Sequence, residues 1–237
     1  MDAPFYRPGE ARLVSARFLG RPNRFLVVAR IGARRVHAAS RDPGRLAELL
    51  RPGVRLLLAP AEPGSTRRTR YTVVLVRAGR AWISVVPALA NAVMATALVR
   101  DAVPGLRGAR VLSREVRRGS SRFDLMIQHR GRRVLVEVKS ATLVEDGVAL
   151  FPDAPTVRGA RHVRELTEHA RRGGHAAIVF VVQRSDARAL RPHAVNDPAL
   201  ASALRDASRA GVRVLAYACR VTPQGVTLER RIPVLGC

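Results

Sequence analysis

Lysine is almost missing from this chain. Of its 42 basic residues 41 are arginine, and Lys139 is the single lysine. Carboxylates are scarce too, 18 against those 42, so the formal net charge is +24. A globular chain so basic points toward a polyanion, most simply nucleic acid. Two cysteines, Cys219 and Cys237, exclude a disulfide framework and have no metal-ligand spacing, so a buried thiol and an uninvolved tail are expected. Aromatics make up only 4%, so few bases can be stacked, with Phe18, Phe25, Tyr71 and Trp82 as candidates. That scarcity favours reading the phosphate backbone over reading bases, and leaves duplex against single strand open. Long hydrophobic runs are lacking: residues 81–99 are mostly apolar but hold Trp82, Ser84, Pro87 and Asn91, unlike a membrane span. The start, Met1-Asp2-Ala3-Pro4, has no basic-then-apolar signal pattern. A cytoplasmic, reduced protein off the membrane is expected.

What is present is 237 residues with 47% hydrophobic composition, ample for one large core or two small ones. Residues 1–80 carry 17 arginines against 5 acidic residues, half of the whole excess charge in a third of the chain. Coding bias explains arginine in place of lysine but not the shortage of carboxylates.

Residues 12–86 read as short strands at 12–19, 25–31, 34–38, 54–59, 71–77 and 81–86, with a short helix at 44–50. Turns are expected at Gly20-Arg21-Pro22-Asn23, Gly32, Pro52-Gly53, Pro63-Gly64-Ser65 and Gly79. Five or six short strands in about 80 residues predict a small closed barrel, for which the oligonucleotide-binding (OB) barrel is the commonest basic example. Arg67, Arg68 and Arg70 then lie on a loop able to track phosphates, or simply on a solvated one. Residues 87–103 have helical apolar spacing before Pro104-Gly105 and predict a connecting helix. Beyond residue 108 the pattern is α/β: strands at 122–128 and 133–139 form a hairpin, followed by a loop of about 18 residues. A helix at 156–171, a buried strand at 176–182, a helix at 198–210 and strands at 212–218 and 226–230 complete it. The division is therefore 1–86 OB-like barrel, 87–107 connecting segment and 108–237 α/β domain.

The chemistry concentrates in Ser121-Arg122-Phe123-Asp124 and Val134-Leu135-Val136-Glu137-Val138-Lys139. Alternation along a strand puts Glu137 and Lys139 on one face and Val134, Val136 and Val138 on the other. Asp124 lies on the partner strand, and Glu115 approaches from the preceding segment. Carboxylates with one lysine suit metal-assisted phosphodiester cleavage. The carboxylates would hold a hard cation such as Mg²⁺, and Lys139 would position the attacking water or balance the developing charge. Arginine, a wide fork of far higher pKa, is a poor substitute for that lysine. The bland alternative is a strand-edge Glu–Lys pair worth a few tenths of a kcal/mol.

A resemblance follows from these residues. Ser121-Arg122-Phe123-Asp124, the run from Val136 to Val144, Phe151-Pro152-Asp153-Ala154, the run from Arg158 to Leu166, Val182-Gln183-Arg184-Ser185-Asp186 and residues 211–217 resemble the sugar fermentation stimulation protein A family. The resemblance spans nearly the whole chain. It implies an N-terminal OB-like barrel and a C-terminal PD-(D/E)xK, restriction-endonuclease-like α/β domain. That family is similar to nucleic-acid-binding proteins first connected with maltose metabolism and now described as DNA/RNA nucleases. Asp124, Glu137 and Lys139 match its nuclease signature and Glu115 its auxiliary acid, which implies that Asp124 and Glu137, with the Val138 carbonyl, would hold Mg²⁺ (or Mn²⁺), that Glu115 would support them and that Lys139 would assist the attacking water. One departure is that His37 is followed by Asp42-Pro43-Gly44 where the family has asparagine before Pro-Gly.

Arg158, Arg161 and Arg164, three apart, form a helix stripe able to clamp a phosphate or merely to face water. Gln183 and Arg184 just past a buried strand, and Arg122 beside Asp124, complete the nucleic-acid-binding candidates. Arg184 and Asp186 equally read as a local ion pair. His162, His169 and His175 form no zinc pattern. The expected function is a DNA- and/or RNA-binding protein with a magnesium-dependent nuclease site. The alternatives are a catalytically silent DNA-binding regulator of sugar metabolism genes and a basic RNA-associated protein; a homodimer stays open.

Overall fold

The computed structural model describes residues 12–62 and 64–237. The Met1–Pro4 start and Pro63 of the expected 63–65 turn lie outside the described residues. Strands β1 (Val14–Asn23), β2 (Leu26–Ile31), β3 (Arg34–Ala39), β4 (Arg55–Pro60) and β5 (Tyr71–Ala78) close into a barrel. β1 pairs with β2 and β4, β4 with β5, and the ring shuts where Ala38 and Ala39 of β3 pair parallel with Tyr71 and Thr72 of β5. This is the OB architecture expected. Its interior holds Ala16, Phe18, Val27, Ala29, Leu56, Leu58, Val73, Val76 and Ile83.

Two local expectations are corrected. The Gly20–Asn23 segment does not turn: β1 runs through it with register shifts on either side of Gly20, and the chain reverses at Arg24-Phe25. Such bulges let one strand bend around a small barrel. The expected helix at 44–50 is an irregular segment with a turn. Leu46 adopts φ +51, outside helical space, and its N–H is taken by Asp153 Oδ2 at 3.0 Å, so a distant carboxylate rather than a helical carbonyl fixes it.

A short strand β6 (Ala81–Ser84) leads to helix α1 (Leu89–Val99). α1 is no free link. It packs on the C-terminal sheet, and the outward-facing Leu57, Val74 and Leu75 of the barrel share one core with its Val93, Met94 and Ala97. That explains why β5 is apolar on both faces (burial is continuous from Thr72 to Val76): one face lines the barrel, the other meets α1. Each buried valine, leucine or methionine there contributes about 1.5–3 kcal/mol, so the two units are joined through apolar surface.

The C-terminal sheet is built from β7 (Arg110–Arg118), β8 (Ser121–His129), β9 (Arg132–Ala141), then, beyond the insertion described next, from three later strands. The long loop after β9 contains a small hairpin, β10 (Val144–Glu145) and β11 (Val148–Phe151), turning at Asp146-Gly147 with φ +48 and +81, the turn chemistry that Asp-Gly favours. Helix α2 (Val157–Arg171) starts at Thr156, whose side chain accepts from Gly159 N. β12 (His175–Val182), β13 (Ala189–Pro192), α3 (Pro198–Arg209), β14 (Arg213–Thr222) and β15 (Gly225–Ile232) follow. The large sheet runs β15-β14-β12-β9-β8-β7, parallel where β12 pairs with β9 and β14. α2 and α3 cover one face and α1 the other. β13, unanticipated, pairs parallel with β11.

Candidate active site

β8 and β9 pair antiparallel from His129↔Arg132 to Leu125↔Val136, and there the ladder ends. Continuing the register sets Asp124 opposite Glu137. Instead of another backbone bond, Asp124 Oδ2 accepts the Val138 N–H at 2.7 Å, while Asn91 of α1 donates to Oδ1 at 2.5 Å. In extended backbone a residue's N–H and C=O point the same way, so the Val138 carbonyl is directed to the Asp124 side. The alternation expected for β9 is present: Val134, Val136 and Val138 enter the core beneath α1, and Glu137 and Lys139 lie on the face covered by α2.

Glu137 is 4% exposed. Its Oε1 accepts from Lys139 Nζ at 2.6 Å and from His162 Nδ1 of α2 at 2.7 Å; the latter nitrogen must carry the proton, since a carboxylate only accepts. The His162 ring is held against Phe123, centroids 5.5 Å apart, with Arg158 Nε 3.5 Å from its other nitrogen. Glu137 Oε2 is buried with no hydrogen-bond partner among the described residues. Burial first, and then the neighbouring Glu137, push the Asp124 carboxyl above its usual range. Two carboxylates thus press together, one oxygen unpaired, with a carbonyl and a lysine beside them. That donor set suits a hard, oxygen-seeking divalent cation. Among the described residues no group of three or more His, Cys, Asp or Glu forms a ligand cluster, so the pair with Val138 would be the protein's share.

Lys139, Ser140 and Asn91 open on a cleft of about 470 Å³. Its other wall is Phe151–Thr156 and its roof is the barrel loop, Asp42-Pro43-Gly44 with Arg24. Arg21 ties that loop down, donating to the carbonyls of Gly44, Arg45, Arg24 and Asp42. Asp42, the departure from asparagine, is buried and accepts from Gly44 N at 2.8 Å; its carboxyl is raised by burial first. Gly44 is needed for closeness, because a Cβ there would lie 2.5 Å from Asp153 Oδ2. His37 lies exposed on β3 and does not line the cleft.

Other site expectations are corrected. Glu115 occupies the β7 position across from Asp124, but its carboxylate meets Arg122 Nε at 2.7 Å on the exposed surface and joins neither Asp124 nor Glu137. The diagonal cross-strand ion pair takes both residues. Gln183 and Arg184 are buried where no polymer reaches. Gln183 Nε2 donates to Val86 O and Ser140 Oγ, stitching the exit of the barrel to β9. Arg184 is held by both oxygens of Asp186 and by Thr142 O, so the local ion pair is the reading that applies. Phe18 fills the barrel interior and offers no stacking face. Phe25 is 60% exposed with Arg24 over its ring, and Arg77 lies over Trp82. Arg67, Arg68 and Arg70 lie exposed on the loop before β5, and Arg158, Arg161 and Arg164 on the exposed side of α2. Sequence reasoning missed Asn91 and His162. Only the helical repeat of 157–171, laid against the strand face of Glu137, contained a signal for His162. Cys219 is buried and Cys237 exposed. Among the described residues no helix is long and apolar enough to cross a membrane.

Residues 19–85 match the family model "SfsA N-terminal OB domain" and residues 88–225 the model "Sugar fermentation stimulation protein RE domain". A sugar fermentation stimulation protein homolog of Moorella thermoacetica is 48% identical over 219 residues, 92% of this chain and 94% of that protein. One of Chloroflexus aurantiacus is 44% identical, covering 94% and 86%. The solved structure described as Pyrococcus furiosus SfsA in complex with Ca²⁺ superposes with a TM-score of 0.86 at 31% identity, over 99% of both chains. With both units matched and relatives aligned over nearly its full length, the chain belongs to the sugar fermentation stimulation protein family.

Proposed function

We propose that this protein binds nucleic acid and hydrolyses its phosphodiester bonds with a divalent cation, Mg²⁺ or Mn²⁺, held by Asp124, Glu137 and the Val138 carbonyl. The OB domain and the family suggest the nucleic-acid binding. The observation that carries the catalytic half is the partnerless, buried Oε2 of Glu137 beside a second carboxylate. Left bare, such an oxygen costs about 1–3 kcal/mol, and a cation offsets that cost. The Pyrococcus furiosus relative is described with Ca²⁺, a cation of the same hard class.

When bound, the cation would acidify a water and neutralise charge developing on phosphorus. The chain's own residues do the rest. His162 and Lys139 hold Glu137 in one rotamer from two directions. Asn91 and the Val138 N–H fix both oxygens of Asp124. Lys139, lining the cleft, is poised to orient the attacking water and to balance the charge of the phosphate. The exposed arginines supply salt-sensitive grip on the backbone.

The test is cleavage of labelled single- and double-stranded DNA and RNA in Mg²⁺, Mn²⁺ or EDTA by wild type, Lys139→Ala and Glu137→Ala. Metal-dependent cutting lost in both variants with binding retained is the expected result. Tight binding by folded wild type without any cutting would make the protein a binding-only regulator. Indifference to metal with preference for structured RNA would make it an RNA-associated protein.

A further inference from the structure

At the opposite end of the large sheet from the cleft lies a second cavity, about 720 Å³ in volume. It is built where β9, β12 and β14 begin, so Val134 on its wall is five residues, about 16 Å of strand, away from Lys139. Arg130 enters from the β8–β9 hairpin, Arg132 from the first residue of β9, Arg213 from the first of β14 and Arg231 from near the end of β15. His129 and His175 complete the charged and titratable lining, and among the described residues no carboxylate lines the cavity.

In a chain with 42 basic side chains a basic surface is ordinary, but convergence into a concavity is not. None of these four guanidiniums has a carboxylate partner within ion-pair distance among the described residues, whereas Arg122, Arg172, Arg184 and Arg230 elsewhere do. Gly105 marks the convergence: a Cβ built there would lie 3.4 Å from Arg231 Nη1 and 3.9 Å from Arg213 Nη2. Gly105, at φ +83, also accepts from Arg213 Nη2 through its carbonyl at 3.1 Å, which anchors that guanidinium on the rim. The positive-φ turn Arg130-Gly131 fixes the hairpin that presents Arg130. The field inside is felt by buried His129, whose imidazole is pushed down by burial first and then by Arg213 and Arg130.

We propose that this cavity is a second anion site, taking a compact ligand with two or more adjacent phosphates, of the nucleoside polyphosphate kind. Four permanently cationic side chains lining one concavity suit the adjacent negative charges of a diphosphate or triphosphate group. A nucleic-acid strand offers only one charge per ~3.4 Å of rise and suits an open stripe better. The volume lies within the roughly 300–1,000 Å³ usual for small-ligand sites. Guanidinium forks suit adjacent phosphate oxygens. This site is independent of the nuclease reading, since no proposed metal ligand lines it.

Titration calorimetry in EDTA, with inorganic pyrophosphate, ATP, inorganic phosphate and a 12-mer single-stranded DNA as probes, tests it. Wild type, Arg130→Ser, Arg231→Ser and, as control, the exposed Arg205→Ser of α3 would be compared. Saturable one-to-one binding of ATP and pyrophosphate is expected, weakened about tenfold or more by each pocket variant and unchanged in Arg205→Ser. Arg130 is exposed on a turn, so its variant keeps the fold, which circular dichroism checks. Absence of saturable binding to wild type would overturn the proposal. Equal weakening by Arg205→Ser would reduce it to general charge. Loss of 12-mer binding in the pocket variants, with no ATP or pyrophosphate binding to wild type, would make the cavity part of a nucleic-acid track instead.

Discussion

Replacing Glu137 with glutamine separates the cost of the site in the free protein from its gain with a cation. In the wild type Oε1 accepts two charge-assisted bonds, from Lys139 and His162, and Oε2 has no partner. The amide oxygen of the introduced glutamine keeps both donors as a neutral acceptor, at a loss of about 1 kcal/mol for each bond. Against that, the repulsion that helps push up the Asp124 carboxyl disappears, and an amide N–H₂ faces Asp124, returning about 1 kcal/mol. Without cation, Glu137→Gln should therefore lower stability by about 1 kcal/mol, or about 2–4 °C in Tm for a chain of this length. With Ca²⁺ at one hundred times its Kd, wild type should gain about 2.7 kcal/mol, or about 5–11 °C, and the variant almost nothing, having lost one of two anionic ligands. The assay is thermal unfolding followed by fluorescence, with Ca²⁺ titrated against an EDTA baseline near neutral pH. A variant that keeps the full wild-type shift, or a wild type that shows none, would refute the reasoning.

His162→Ala should cost about 2–4 kcal/mol by removing a buried ring and a donor to Glu137, whereas His162→Asn, keeping an N–H near the Nδ1 position, should recover part of both stability and cleavage rate; urea midpoints and single-turnover cleavage measure the two. Gly44→Ala should destabilise by about 1–3 kcal/mol in urea unfolding, because its methyl would lie 2.5 Å from Asp153 Oδ2 and 2.9 Å from Asp42 Oδ1. Arg184 holds the Asp186 carboxyl below the usual range through its hydrogen bonds, so this contribution is full above the unfolded value of about 3.9 and lost as pH falls through the folded one. Asp186→Asn should accordingly lower stability at neutral pH and flatten its fall on the acid side; parallel slopes for both proteins would contradict that. Neutralising Arg67, Arg68 and Arg70 together should reduce the salt slope of duplex DNA binding by up to about 3 units, read by fluorescence anisotropy from low to moderate salt.

The barrel, the helices α2 and α3, and the β8–β9 hairpin were legible because each rests on short-range periodicity: alternation in Val134–Lys139, apolar spacing in 157–171, and turn residues between strands. Strand β13 was not legible, since Ala189–Pro192 carries no alternation and exists only through tertiary pairing, parallel with β11 some forty residues before it and through Leu190 with Val234. The apolar run of β12 was readable as a buried strand, but the burial of Gln183 and Arg184 just beyond it was not. Polar side chains usually mark surface, and it is the carbonyls of Val86 and Thr142, the Ser140 hydroxyl and the Asp186 carboxylate that make their burial affordable.

Local chemistry in the chain decided that a lone lysine would stand two residues from a glutamate on one strand face, opposite a strand carrying an aspartate. It also decided that the surface would be rich in arginine. Tertiary structure alone decided which groups complete that pair. It brought Asn91 from α1 and His162 from α2 to the two carboxylates, withdrew Glu115 to Arg122, and lowered the barrel loop over the cleft through Asp153. The physical reason is that hydrogen bonds between residues 25 to 107 positions apart carry no local periodicity. Their geometry exists only where the apolar faces of α1, α2 and the barrel pack on the sheet and bring these residues together.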